Sequence, residues 1–171
     1  MIAIRHIRSH PVCNAQEIQT TIQSLSHEGR LASEKTFLHH RKITVYGHSV
    51  HAAEVSLAIA NSLPFTFDTN SLVRGALLHD YFLYHRNESV KTYVTHGYRH
   101  PLVAAKNAEE DYGINDIEEN IITRHMFPLT PIPPKCKEAW VVCIADKYCA
   151  TMEFLPAKST RRHLSNGHSC S

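Results

Sequence analysis

The sequence lacks the marks of secreted, disulfide-stapled and membrane proteins. None of its five cysteines forms a CxxC pair, and their odd number favours free thiols in a reducing compartment. The first sixteen residues have no apolar core of the kind found in signal peptides, and no apolar run approaches the length of a membrane span. We therefore expect a cytoplasmic protein that has no membrane partner.

A charge imbalance is also lacking. The chain carries 18 Lys and Arg against 16 Asp and Glu, well mixed, so no basic footprint for a nucleic-acid polymer stands out.

Internal repeats and long linkers are missing too. At 171 residues the chain fits one domain, which we predict over residues 1–155 with its core at about 45–151. The polar, aperiodic residues 156–171 read as a flexible C-terminal tail.

Alternating strand patterns are absent as well, and helical periodicity is common, so we predict an all-α fold. Caps, glycine stops and prolines set the expected helix ends. Asn115 with Glu118 forms a capping-box pattern, and His100-Pro101 is interpreted as a helix start because proline suits the first helical position. The predicted helices cover residues 14–28, 31–40, 47–63, 70–84, 100–113, a segment beginning at 115, and 135–155.

Histidine, by contrast, is abundant, with fourteen in the chain. His48, His79, His125 and Asp146 each fall within the apolar stripe of a different predicted helix. One such histidine would be interpreted as a hydrogen-bonded core residue. Four helices repeating the pattern favour a shared ligand site, because buried imidazoles and carboxylates need partners.

Two further residues extend the set: Asp80 directly follows His79, and His100 lies at a predicted helix start. Imidazole and carboxylate together suit Fe, Mn and related divalent ions, and six ligands exceed a tetrahedral zinc site. Neighbours on a helix diverge by about 100°, so the imidazole of the doublet can bind one ion while the carboxylate bridges two. The predicted metal ligands are His48, His79, Asp80, His100, His125 and Asp146.

The order of these residues resembles the H…HD…H…H…D pattern of the HD superfamily of metal-dependent phosphohydrolases. The local strings GHSVHAAEVSLAIA, RGALLHDYF, HGYRHPLVAAKNAEE, IITRHM and CIADKY resemble it too, from about Val45 to Thr151. The resemblance implies an HD-domain helical bundle with a mono- or binuclear centre that hydrolyses phosphate esters, often in nucleotides. No GYP-type motif follows His125, which argues against a cyclic dinucleotide phosphodiesterase.

We therefore predict a metal-dependent phosphohydrolase or phosphodiesterase acting on a small phosphate ester or anhydride, of the nucleotide class. Two divalent transition-metal ions are expected, Fe or Mn first, with Zn, Ni, Co or Mg as alternatives. A hydroxide between the ions would attack phosphorus, with Asp80 as bridging ligand and catalytic residue. Candidates for binding the substrate are His96, Arg99 and Lys147, and His96 also competes with His100 for the ligand position.

Two other functions stay open. The same ligand order resembles the mixed-valent di-iron oxygenases of this superfamily, which need iron cycling and oxygen, whereas a hydrolase needs redox-neutral metals and open water positions. A non-catalytic module that binds nucleotide or metal is the second alternative. The commonness of hydrolysis in the superfamily favours the phosphohydrolase.

Overall fold

A computed structural model describes residues 11–40, 43–83 and 90–155. In the described chain a 3₁₀ helix, Leu31–Thr36, follows the first α-helix, and two very short strands precede the second. The all-α prediction is confirmed in substance. The α-helices are α1 (Pro11–Glu28), α2 (Val45–Ser62), α3 (Thr69–Leu78), α4 (Val90–Tyr112), α5 (Asp116–Arg124) and α6 (Lys137–Phe154).

Side-chain caps fix where three of these helices begin. The Thr44 hydroxyl accepts a hydrogen bond from the Gly47 backbone N–H and starts α2. Asp68 does the same for α3 by accepting from the Ser71 N–H. Asn115 starts α5 with the capping box that its spacing to Glu118 predicts. Each cap satisfies backbone donors that have no partner within the first helical turn.

Four helices form the centre of the bundle. α2 packs against α3 and α6, and α5 packs against the other side of the same two helices. Fully buried aliphatic side chains fill the space between them, among them Leu57, Leu72, Leu77, Ile121 and Val142. α1 closes one side through Ile18, Ile22 and Leu25, the apolar positions that its periodicity marks.

One glycine allows a close helix contact in this bundle. A Cβ atom at Gly75 of α3 would lie 2.6 Å from the Ile121 Cδ1 of α5, closer than carbon atoms approach. The missing side chain therefore lets α3 and α5 come together at this level.

Three predicted boundaries are wrong. The segment after Leu31 leaves helical structure at Thr36, and Leu38–His40 then pairs antiparallel with Ile43–Thr44 in a small hairpin that alternation alone did not reveal. α4 begins at Val90, so Pro101 lies inside the helix and not at its first position. A proline within a helix removes one backbone hydrogen bond, but tertiary packing can offset this loss.

The third error concerns the His79-Asp80 doublet, which the predicted helix 70–84 includes. α3 ends at Leu78, so the doublet lies in the turn that follows. The proposed C-terminal tail at 156–171 lies outside the described residues. None of the helices in the described part of the chain is long and apolar enough to cross a membrane.

Candidate metal centre

The six predicted ligand residues meet at one place inside the bundle. They come from five helices or the turns that follow them, and none is more than 7% exposed. Two of the helix ends carry donors: His79 is the C-cap of α3 and His125 the C-cap of α5. Asp80 follows His79 in the same turn, and the other three lie within helices, with His48 in α2, His100 in α4 and Asp146 in α6.

His48, His79 and Asp146 form the first group of donors. The Asp146 Oδ1 lies 3.0 Å from the His48 Nε2 and 3.7 Å from the His79 Nε2. Two atoms bound at right angles to one ion about 2.1 Å away lie about 3.0 Å apart, so the separations suit a shared cation. The donor atoms of the three residues all lie within 4.8 Å of one another.

A second group surrounds Asp80. Its Oδ1 lies 3.1 Å from the His100 Nε2 and 3.5 Å from the His125 Nε2, and these two nitrogens are 2.9 Å apart. Its other oxygen, Oδ2, lies 3.8 Å from the His79 Nε2. The two carboxylate oxygens of Asp80 therefore face the two groups of donors separately.

The histidine rings are held so that Nε2 points into the site. The Nδ1–H of His79 donates to the Ala76 carbonyl oxygen over 2.8 Å, and that of His125 to the Ile122 carbonyl oxygen over 2.7 Å. Nδ1–H bonds of this kind leave Nε2 with its lone pair free, which is how metal-binding imidazoles are oriented. Among the described residues the buried His79 Nε2 has no hydrogen-bond partner, as expected of a ligand atom.

His48 is oriented by a residue that the sequence analysis missed. Its Nδ1 lies 2.9 Å from the Glu153 Oε1, so a carboxylate holds the ring from behind while Nε2 faces Asp146. Glu153 lies on α6 seven residues after Asp146, two helical turns along the same face. That spacing is the signal that could have identified it.

The electrostatics of the centre favour bound positive charge. Burial disfavours the charged form of Asp80, but His79 and His100 hold the pKa of this carboxyl well below its usual range. The pKa of Asp146 is likewise low, against its burial, because His48 and His79 contact it. Burial of His48 opposes its charge, yet Asp146 and Glu153 raise the pKa of the imidazole to about 10. Burial lowers the pKa of His125 to about 4, which keeps this ring neutral and able to bind metal.

A second residue that the sequence analysis missed is Glu34, on the 3₁₀ helix. Its side chain is fully buried, and burial together with the neighbouring Asp80 carboxylate raises the pKa of Glu34 well above its usual range. No sequence signal marks it, because it lies in a short polar segment that only the tertiary fold brings to the site.

Lys147, one of the three candidate substrate-binding residues, contacts two of the candidate ligands. Its ammonium donates to the His125 carbonyl oxygen over 2.5 Å and lies 3.6 Å from the Asp146 Oδ2. Its side chain is 40% exposed, so it borders the centre from the solvent side. Arg99 is exposed on α4, and within the described part of the chain no hydrogen bond or ion pair joins it to the centre. The side chain of His96 lies outside the described residues.

Comparison with known proteins identifies the family. The family model of the HD domain matches residues 45–151, well over half of the chain and the span over which the local strings resemble that family. Neither a comparison with curated proteins nor one with solved structures found a match. HD domains are in general metal-dependent hydrolases that bind divalent ions, and the His and Asp groups found here could hold metal. With its helical bundle and the full H…HD…H…H…D order in place, this chain belongs to the HD domain family.

Proposed function

We propose that this protein is a metal-dependent phosphohydrolase or phosphodiesterase that cleaves a phosphate ester or anhydride of a small molecule of the nucleotide class. The observation that carries the proposal is the position of Asp80 between two groups of donors, with Oδ1 toward His100 and His125 and Oδ2 toward His79. A carboxylate in that position suits a bridging ligand of two divalent ions.

The residues present fit two metal ions by the chemistry of their donors. His48, His79 and Asp146 would hold one ion, and His100 and His125 the other, with Asp80 shared. Mixed imidazole and carboxylate sets suit Fe and Mn, with Zn, Ni, Co or Mg as alternatives. When bound, such ions would lower the pKa of water and neutralise charge on phosphoryl oxygens.

The chain's own residues would position the reactants. Asp80 is ionised at neutral pH, and its buried carboxylate would orient the attacking water, which makes it the catalytic residue in this proposal. Glu153 would hold the His48 ring in its orientation through the hydrogen bond at Nδ1. Lys147, partly exposed beside Asp146, would attract the phosphoryl group, and Arg99 and His96 are further candidates for binding the substrate.

Metal analysis of anaerobically purified protein, followed by a phosphate-release screen over nucleotides with Mn²⁺ or Fe²⁺, tests this function. We expect about two metal ions per chain and release of phosphate or a nucleoside monophosphate at the same rate with and without oxygen. As a control, the Glu118→Gln variant should keep the metal content and phosphate release of the wild type, since Glu118 pairs with Arg74 outside the centre. Oxygen consumption, with activity lost under anaerobiosis, would favour the di-iron oxygenase instead. Metal binding without any turnover would favour the non-catalytic module.

A further inference from the structure

Glu34 is a buried acid to which the described residues offer no hydrogen-bond partner. Its side chain has no solvent exposure, and neither carboxyl oxygen has a hydrogen-bond partner among the described residues. The other buried glutamates with described contacts differ in this respect. Glu118 accepts from the Arg74 guanidinium over 2.8 Å, and Glu138 accepts from the Asp68 backbone N–H over 3.0 Å.

The position of Glu34 is fixed by a network that also reaches the HD doublet. The backbone N–H groups of Arg30 and Leu31 donate to the hydroxyls of Tyr81 and Tyr112, over 3.0 Å and 2.8 Å. Tyr81 directly follows Asp80 in the chain. The start of the 3₁₀ helix is therefore tied to the residue beside the doublet, and one turn later the helix carries Glu34 inward.

The electrostatic neighbours of Glu34 are ligand residues. The 3₁₀ helix that carries Glu34 packs against α2, the helix of His48, and its N-cap residue is hydrogen-bonded to Tyr81, which follows Asp80. Asp80 and His48, which belong to different donor groups, are the charged groups that act on the Glu34 carboxyl. Its oxygens do not belong to the groups of donors that lie within 4.8 Å of one another, so Glu34 stands beside the ligand set and not in it.

A buried carboxyl that makes no hydrogen bond destabilises a fold, because the group has lost its hydrogen bonds to water and has formed none within the protein. Replacement by an apolar side chain of similar size would remove that cost. The placement is explained if the carboxyl has a partner that arrives with the metal ions. A negative group near divalent cations, hydrogen-bonded to what they bind, raises the affinity of the site for them.

We propose that Glu34 is a further acidic residue of the metal centre, whose carboxylate accepts a hydrogen bond from an O–H donor, water or substrate hydroxyl, bound there. It acts as a positioning residue and not as a direct ligand. The inference rests on the metal-binding part of the proposed function and is independent of the reaction catalysed.

The test compares Glu34→Gln, Glu34→Met and the control Glu118→Gln by Mn²⁺ titration calorimetry without substrate. Urea unfolding of the metal-free protein in a chelator provides the second measurement. Glu34→Gln keeps the shape and removes the charge, so we expect the Kd for Mn²⁺ to rise about 10- to 100-fold. Glu34→Met should raise the urea midpoint of the metal-free protein. Glu118→Gln should lower that midpoint and leave the Kd unchanged.

Three outcomes would overturn the role of Glu34 alone. These are a Kd for Glu34→Gln within about threefold of wild type, an equal weakening in Glu118→Gln, or a lower urea midpoint in Glu34→Met. The last result would mean that the carboxyl already stabilises the metal-free fold. If Glu34→Met does not fold, the calorimetry of Glu34→Gln still decides. Failure of the wild-type protein to bind Mn²⁺ would overturn both this inference and the proposed function.

Discussion

Two polar clusters lie on either side of the Asp80–Tyr81 peptide, and they differ in how completely their hydrogen-bond donors and acceptors are paired. The tyrosine cluster, formed by Arg30, Tyr81, Asp111 and Tyr112, is matched donor to acceptor. Tyr81 donates to the Asp111 Oδ2 over 2.7 Å and accepts from the Arg30 N–H, while the Arg30 guanidinium binds Asp111 through two nitrogens.

In the candidate metal centre, donors and acceptors are not paired in this way. Its imidazole nitrogens converge on one another and on two carboxylates, and the buried His79 Nε2 makes no hydrogen bond within the described chain. A cluster that satisfies itself contributes to stability, whereas one whose lone pairs face a common space is arranged for a cation. The contrast distinguishes a structural polar cluster from a binding site without reference to any relative.

The largest test of this contrast is Asp80→Asn. The change keeps the shape of the side chain but removes the charge that faces both donor groups, so we expect turnover to be abolished and the second ion to bind poorly. Asp80→Ala should behave alike, with circular dichroism showing helical content largely intact. Near-normal turnover with two ions retained would mean that the doublet has no catalytic role.

The next test separates two histidines of α4. His100→Ala should lose metal, because the His100 Nε2 lies 3.1 Å from Asp80 and 2.9 Å from the His125 Nε2. His96→Ala should keep its metal content and mainly raise KM. Metal analysis and steady-state kinetics of both variants check this prediction, and the reverse pattern would make His96 the ligand.

A smaller effect is expected in the tyrosine cluster. Tyr81→Phe removes the hydroxyl that bonds Arg30 and Asp111, so we expect a loss of about 1–3 kcal/mol in the free energy of unfolding. Metal content should change far less than in Asp80→Asn, since the hydroxyl bonds Arg30, Asp111 and Tyr112 and none of the six candidate ligands. Urea unfolding and metal analysis measure both quantities, and a metal loss equal to that of Asp80→Asn would erase the distinction between the clusters.

The smallest effect concerns pH. The hydrogen bond from Arg30 lowers the pKa of Asp111, so the stabilisation from this pair is present above the pKa of the unfolded chain. It is lost as pH falls through the lower, folded pKa. Asp111→Asn should therefore destabilise the metal-free protein at pH 7, by under about 1 kcal/mol for so exposed a pair. The difference from wild type, measured by urea unfolding, should shrink as pH falls below the pKa of the unfolded carboxyl and through the lower, folded pKa. A difference that grows in acid would contradict the assignment.

Five of the six candidate ligands could be predicted from the residues alone, because each interrupts an apolar stripe or directly follows a residue that does. His100 was chosen instead for its place at a predicted helix start and for the family resemblance. His48 and Asp146 lie on such stripes of α2 and α6, and the helical spacing there is unambiguous. The start of α4 could not be predicted, since residues 90–99 contain only two aliphatic side chains and Pro101 has the properties of a first helical residue. Glu34 was out of reach for another reason: its burial depends on a long-range network through Tyr81 and Tyr112 that no local pattern encodes.

The absent side chain at Gly75 sets a distance inside the centre. His79 lies one helical turn after Gly75, and His125 lies one turn after Ile121, the neighbour of Gly75. The contact between α3 and α5 therefore determines the distance between the two imidazole rings, whose centroids are 4.9 Å apart. A methyl group at position 75 would act as a wedge and move one imidazole away from the other without touching either. The spacing of the two imidazoles, and with it the size of cation that the site could hold, thus depends on a residue whose side chain offers no donor atom.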